Sequence, residues 1–486
     1  LLYSEHTWGA HNSISQPDIP FVRDQWKVKQ AFALDADKQS RDLLQKALEN
    51  ARGADARLGA IEVFNTASWN RTDLVTLTGD LAKPGDSVLD EKERRVPSQR
   101  LSSGELVFLA RDIPPFSARR FRVAAGTTEN NGRLRVDPYG VESRDFVLWI
   151  DRQTGAIKSL FSRRLKRELA DQNGATALND YFYLPGSDLK ELKRNASPRI
   201  TVKERGPLVV SLLIESDAPG CKKLTREVRL IEGLDRVEII NTVDKLPVRT
   251  KEGVHFGFGF DVPGGMPRFD VGLAAVRPEL DQIPASCKNW FSVQRWVDIS
   301  NDKFGVTWSP IDAPLVELGA ITANLVGSQT DWRVWVQHLR PSATLYSWVM
   351  NNHWHTNYRA DQEGPTVFRF AIRAHREFEA EEAAKFGVDC SQPLIATVAS
   401  SGKLAASRLR LSSDKVVVAA CKPSDDGKGQ IVRLFGASGK VQKVKLAWSD
   451  PVPRRVWISD TSEAPKQAIG NTIEVPGWGL VTLRAE

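Results

Sequence analysis

Phe146-Val-Leu-Trp-Ile-Asp-Arg-Gln-Thr-Gly-Ala-Ile-Lys-Ser-Leu-Phe161 reads as two short strands, 146–151 and 157–161, joined by a tight hairpin turn at 151–155. The same pattern runs outward in both directions, as short apolar stretches punctuated by Asn, Asp, Gly and Pro. Upstream it covers 60–64, 74–77, 105–110 and 119–123, and a polar break at 126–132 follows. Downstream it covers 208–214, 225–231, 236–243, 254–260, 289–300, 304–308, 344–349 and 366–372. A last block has strand-like runs at 416–420, 430–435, 441–446, 455–458 and 480–484. Many short strands with few helices predict sandwiches or barrels.

Helical patterning is confined to two places. Pro17 and Pro20 open a segment in which Phe21, Trp26, Phe32, Leu43, Leu44 and Leu48 recur near helical spacing. Ser40 could cap a second helix over 41–50, and Gly53 is a natural stop, so two helices or one kinked helix both fit. A short helix is also expected at 380–386. The expected organisation is a helical remnant at 1–55, a small β unit at 56–126, a large sandwich at 127–390 and a terminal β unit at 391–486.

Composition narrows the class. The chain has 486 residues, 41% hydrophobic and 26% charged, which suits a folded protein and rules out a disordered one. No apolar stretch approaches the roughly 20 residues of a membrane span, so a soluble protein is expected. The net charge of +7, from 67 Lys and Arg against 60 Asp and Glu, is mild for this length. Its densest basic group, 163–167, is followed at once by Glu168 and Asp171, which argues against nucleic-acid binding. Cys221, Cys287, Cys390 and Cys421 are far apart, without the spacing of a zinc ribbon or redox motif. A single disulfide stays open, and the compartment with it. The chain opens at Leu1 without methionine and reads as the interior of a longer polypeptide.

Few motifs carry chemistry. Gly257-Phe-Gly259 lacks the strand-turn-helix context of a dinucleotide loop and reads as a strand with small residues. His353 and His355 would share one face of a strand and could ligate a metal. Their neighbours Asn351, Asn352, Trp354, Asn357 and Tyr358 look more like a polar, ligand-lining loop. Glu5-His6-Thr7-Trp8-Gly9 gathers a carboxylate, an imidazole, a hydroxyl and an indole. Fourteen tryptophans suit the apolar faces of sugars and equally suit sandwich cores.

Spread over nearly the whole length, the chain resembles the C-terminal part of a bacterial-type glycoside hydrolase family 38 α-mannosidase. The likeness rests on residues 2–10, 25–33, Val63-Phe-Asn65, Asp112-Ile-Pro-Pro115 and 151–160. It continues through 289–298, Asp312-Ala-Pro-Leu315 and Asn351-Asn-His-Trp-His-Thr-Asn-Tyr358. The resemblance implies a mainly β fold: a galactose-mutarotase-like β supersandwich, smaller flanking β-sandwich domains and a short N-terminal helical-bundle remnant. It implies a retaining, zinc-dependent enzyme acting on α-mannoside-containing glycans, in a bacterial cytoplasm or periplasm.

In that family an Asp nucleophile, an acid/base carboxylate and most zinc ligands lie on an N-terminal barrel. Only the late zinc-ligand position falls in this chain, at His6, with Thr7 and Trp8 as substrate-contacting neighbours. Eukaryotic members often carry His-His-Asp where this sequence has Glu5-His6-Thr7. Asp312, Asn351, Asn352, Trp354, Asn357 and Tyr358 become candidates for an active-site rim. Without the barrel the chain is expected to hold no zinc and to hydrolyse nothing. The alternative is a stand-alone carbohydrate-binding or scaffolding β protein.

Overall fold

Alternation along the strands sets which way they face. Arg236–Lys245 buries every second residue, as a strand does when only one face meets the core. Leu178–Pro185 and Glu252–Gly259 are buried on nearly every residue, as central strands covered on both faces are. The computed structural model describes residues 11–52, 59–126, 132–323, 335–353, 359, 361–400, 404, 407–449 and 451–486.

Two large antiparallel sheets form the centre. The first has ten strands, and its middle runs Leu315–Leu318, Thr344–Asn351, Glu252–Gly259, Leu178–Pro185, Ile157–Ser162 and Phe146–Ile150. The second has nine, with Val209–Ser216, Cys221–Ile231, Arg236–Lys245, Gly364–His375 and Gly305–Pro310 side by side. Side chains of both sheets interleave in one apolar core, where Phe256 and Phe258 of the first meet Phe370 and Trp308 of the second. This is the expected supersandwich.

The opening hairpin forms as read. Phe146–Ile150 pairs with Ile157–Ser162, and the Asp151 carboxylate accepts hydrogen bonds from the backbone N–H groups of Gln153 and Thr154. Gly257 and Gly259 are strand residues, and their smallness has a cause. A Cβ at Gly257 would stand 2.4 Å from Thr176 Cγ2, and one at Gly259 would stand 2.2 Å from the Thr176 carbonyl.

A smaller sandwich precedes the large one. Its five-stranded sheet includes Ala60–Asn65 and Ser117–Ala124, and its three-stranded sheet includes Arg71–Leu77 and Leu106–Ile113. Ile395–Val398, far along the chain, pairs with Ala60–Asn65, so this sheet draws on both sides of residue 390. A third pair of sheets, three- and five-stranded, is built from Leu409–Leu411 to Leu480–Ala485. Between the large sandwich and these units lies helix α2, Ala380–Ser391.

Helix α1 spans Pro20–Arg52 as one 33-residue helix. Ser40 does not cap a second helix: its hydroxyl donates to the Ala36 carbonyl (2.7 Å), a bond a continuous helix provides. Val22 is buried, whereas Phe21, Val28, Phe32, Leu34, Leu43 and Leu44 are exposed. Among the described residues, no helix is long and apolar enough to cross a membrane.

Candidate active-site rim

The candidate rim residues fall into three groups. His6, Thr7, Trp8, Trp354, Asn357 and Tyr358 lie outside the described residues. Asn351 and Asn352 end the strand Thr344–Asn351 at one end of the sandwich. Asp312 sits elsewhere, on the turn after Gly305–Pro310.

At the sandwich end, Asn352 is buried and points inward. Its Nδ2 donates to the Val248 carbonyl (2.8 Å), and its backbone N–H donates to the Glu252 carbonyl (3.0 Å). The turn it holds carries Arg249, which bridges two segments. Arg249 Nε donates to Asp361 (2.9 Å), and its two terminal nitrogens donate to Asp18 (2.6 and 2.8 Å). These hydrogen bonds hold the Asp18 carboxyl down at about 2. Just before α1, then, the chain is tied to the strand end that leads into the 351–358 run. Arg359, over the Trp26 ring at 5.4 Å, makes a second tie. Asp18 and Trp26 therefore meet Arg249, Arg359 and Asp361 at this end of the sandwich.

Beneath them lies a buried ion pair. Lys245 Nζ is 2.6 Å from Glu252 Oε1, both fully buried, and the Tyr183 hydroxyl donates to Glu252 Oε2 (2.8 Å). Burial, and then this bond, raises the Tyr183 phenol above its ordinary value. Glu252 is engaged by Lys245 and Tyr183, so the group braces this end of the sandwich and does not present a free acid or base. Asn352→Ala is expected to cost about 1–2 kcal/mol, because it strips the part-buried Val248 carbonyl of its donor. Chemical unfolding measures this, and an unchanged midpoint would refute the brace.

Asp312 is paired with a residue of the strand Gly364–His375. Both of its carboxylate oxygens accept from Arg369, at 2.8 Å each, and Oδ2 also accepts the Arg369 backbone N–H (2.9 Å). It clasps a turn to its neighbouring strand.

Two carboxylate–imidazole couples, one wholly and one partly buried, were not singled out by the sequence, since their members lie far apart in the chain. His255 Nε2 lies 2.8 Å from Glu317 Oε2, with both side chains wholly buried. His375 Nε2 lies 2.6 Å from Asp298 Oδ2, beside Ser300 and Thr307. Ser300 and Thr307 hydroxyls both donate to Asp298 and not to the imidazole, so this is a polar brace between strands and not a nucleophile with its base.

The described residues contain no cluster of three or more His, Cys, Asp or Glu able to hold a metal. They do not by themselves fit a zinc centre, and no step through zinc is derived from them.

The fold is a two-sheet supersandwich flanked by smaller sandwiches. Residues 141–308 match the glycosyl hydrolases family 38 C-terminal domain, and the chain has the fold of the C-terminal portion of a family 38 enzyme. An alpha-mannosidase from Enterococcus faecalis V583 aligns with 98% of this chain at a TM-score of 0.72 and 15% identity. A glycosyl hydrolase family 38 protein from Enterococcus faecalis aligns with 98% at 0.68 and 14%. At these identities the likeness is one of fold. This chain spans 62% and 64% of those two chains. No curated protein matches it by sequence.

Proposed function

We propose that this chain is the C-terminal β region of a retaining, zinc-dependent α-mannosidase acting on terminal α-mannosides. Its catalytic barrel would lie in a further part of the same polypeptide. The observation that carries the reading is the family 38 match at 141–308, set within a fold that follows an alpha-mannosidase over 98% of the chain. Retention calls for two carboxylates close together, one as nucleophile and one as acid/base. When bound, zinc would grip sugar hydroxyls and steady developing charge.

This chain's own residues would brace the site's edge. Arg249 ties Asp18 to Asp361, Asn352 fixes the turn that carries Arg249, and Lys245 with Glu252 underpins both. The exposed apolar residues of α1 also support the reading, as a face that further chain would cover.

The test has two arms. The 486-residue chain, given zinc and an aryl α-mannoside, is expected to release no product. Steady turnover would overturn the placement of the catalytic groups outside it. In the longer polypeptide, His6→Ala is expected to remove zinc, read by metal analysis, together with activity. Retained metal would overturn the ligand assignment.

A further inference from the structure

Between the large sandwich, the small sandwich and the terminal unit lies a cavity of about 210 Å³. It is remote in sequence from the rim segments. Its inner end is made by Asp270 and Trp296, both buried. Trp69 and Leu273 line it further out, and Trp478, with the exposed residues Gln294 and Gln392, stands at its mouth. Neither glutamine amide has a protein hydrogen-bond partner among the described residues.

Three observations bear on what it holds. The first is size. About 210 Å³ falls below the roughly 300–1,000 Å³ of sites for drug-sized ligands, and suits a single sugar ring better than an oligosaccharide.

The second is chemistry. Three indoles offer flat apolar surface of the kind that packs against the C–H face of a pyranose. A carboxyl and two amides supply hydrogen-bonding groups for its hydroxyls. Burial pushes the Asp270 carboxyl up to about 6, partly offset by the Arg295 charge and backbone N–H. With Arg295 beside it, the cavity carries no uncompensated negative charge that would select a cation.

The third is backbone strain. Among the described residues, the bulky apolar side chains with left-handed backbones are Phe116 (φ 46°), Leu273 (φ 71°) and Trp478 (φ 56°). Leu273 and Trp478 both line this cavity, and Phe116 lines the adjoining one, which shares Thr66 and Gln392 with it. A left-handed backbone is costly for such residues and gathers where a fold must aim a side chain at a ligand.

We infer that this three-way junction is a binding site for a single neutral hexopyranose unit, held between Trp478, Trp69 and Trp296 and hydrogen-bonded by Asp270, Gln294 and Gln392. Every group it needs lies in this chain, so it stands whether or not the polypeptide is a mannosidase.

The test titrates the 486-residue chain with methyl α-D-mannopyranoside and its gluco and galacto counterparts. Tryptophan fluorescence and saturation-transfer NMR provide the readouts. At least one glycoside is expected to bind saturably with a roughly millimolar dissociation constant, in keeping with so small a ligand. Trp478→Ala and Asp270→Asn are each expected to weaken it by about tenfold or more. No saturable binding of any of the three, or binding that survives either substitution within about twofold, would overturn the site. If Asp270→Asn fails to fold, shown by circular dichroism, Gln294→Ala on the exposed mouth replaces it under the same criterion.

Discussion

Arg71→Ala is expected to destabilise the protein by about 3–5 kcal/mol, because it removes a buried cation from an ion-pair network. Arg71 is almost wholly buried where the small sandwich meets α2. Its NH2 pairs with Asp73 (3.1 Å), its Nε lies 2.7 Å from Asp389, and its NH1 donates to the Gln392 carbonyl (2.7 Å). The network continues through Arg236, which pairs with both Asp73 and Glu238. Burial works against the Glu238 charge, yet Arg229 and Arg236 hold it down at about 2. Removing Arg71 leaves Asp73 with Arg236 alone and takes from Asp389 its ion-pair partner.

Denaturant unfolding of Arg71→Ala reads the loss, and an unshifted midpoint would refute it. Adding Asp389→Asn should recover part of it, since the carboxylate that lost its ion pair disappears. The pH dependence has a definite sign. Burial raises the Asp389 carboxyl to about 6, so the folded state holds this proton more tightly than the unfolded chain does. Its contribution to stability is therefore fully present below the ordinary carboxyl value of 3.8 and falls as pH rises to about 6. Asp389→Asn should remove that slope.

Trp308→Ala is the second large effect, expected at about 3–5 kcal/mol. Trp308 is fully buried in the nine-stranded sheet, stacked on Phe370 at 5.5 Å and tilted against Phe258 of the opposite sheet at 5.0 Å. Alanine would open a void in the middle of the sandwich. Trp308→Phe should cost far less, because the indole N–H has no hydrogen-bond partner among the described residues. Equal losses for the two variants would show that the indole, and not aromatic volume, is what the site requires.

Legibility in the sequence followed one-sided burial. Strands such as Arg236–Lys245 and Ala60–Asn65 lie close to where their patterns put them. Leu178–Pro185 was missed, although it is central to its sheet. It is covered on both faces, so alternation vanishes, and it carries Asn179 and Asp180 into the interior. There they are stabilised by Asn241 and Arg194, partners that no local reading supplies.

The run 289–300 read as one strand but is two. Phe291–Ser292 joins the first large sheet and Val297–Ser300 the second. Of the four residues between them, Gln294 to Trp296 line the cavity at the three-way junction. A chain crossing from sheet to sheet has no periodicity to read. Asp312 was read as a rim candidate, and its partner Arg369 lies 57 positions away, so its role as a clasp was not legible.

The return of Ile395–Val398 to Ala60–Asn65 sets an order of assembly. A ribosome adding about 5–20 residues per second needs on the order of tens of seconds to travel from one strand to the other. Throughout that interval the first strand has an open flank, the kind of surface on which nascent chains pair wrongly. The small sandwich can be sealed only after the entire large one has emerged. The segment that seals it is therefore a late checkpoint on synthesis: a chain cut short between residues 375 and 395 holds every strand of the large sandwich while its neighbour stays ajar.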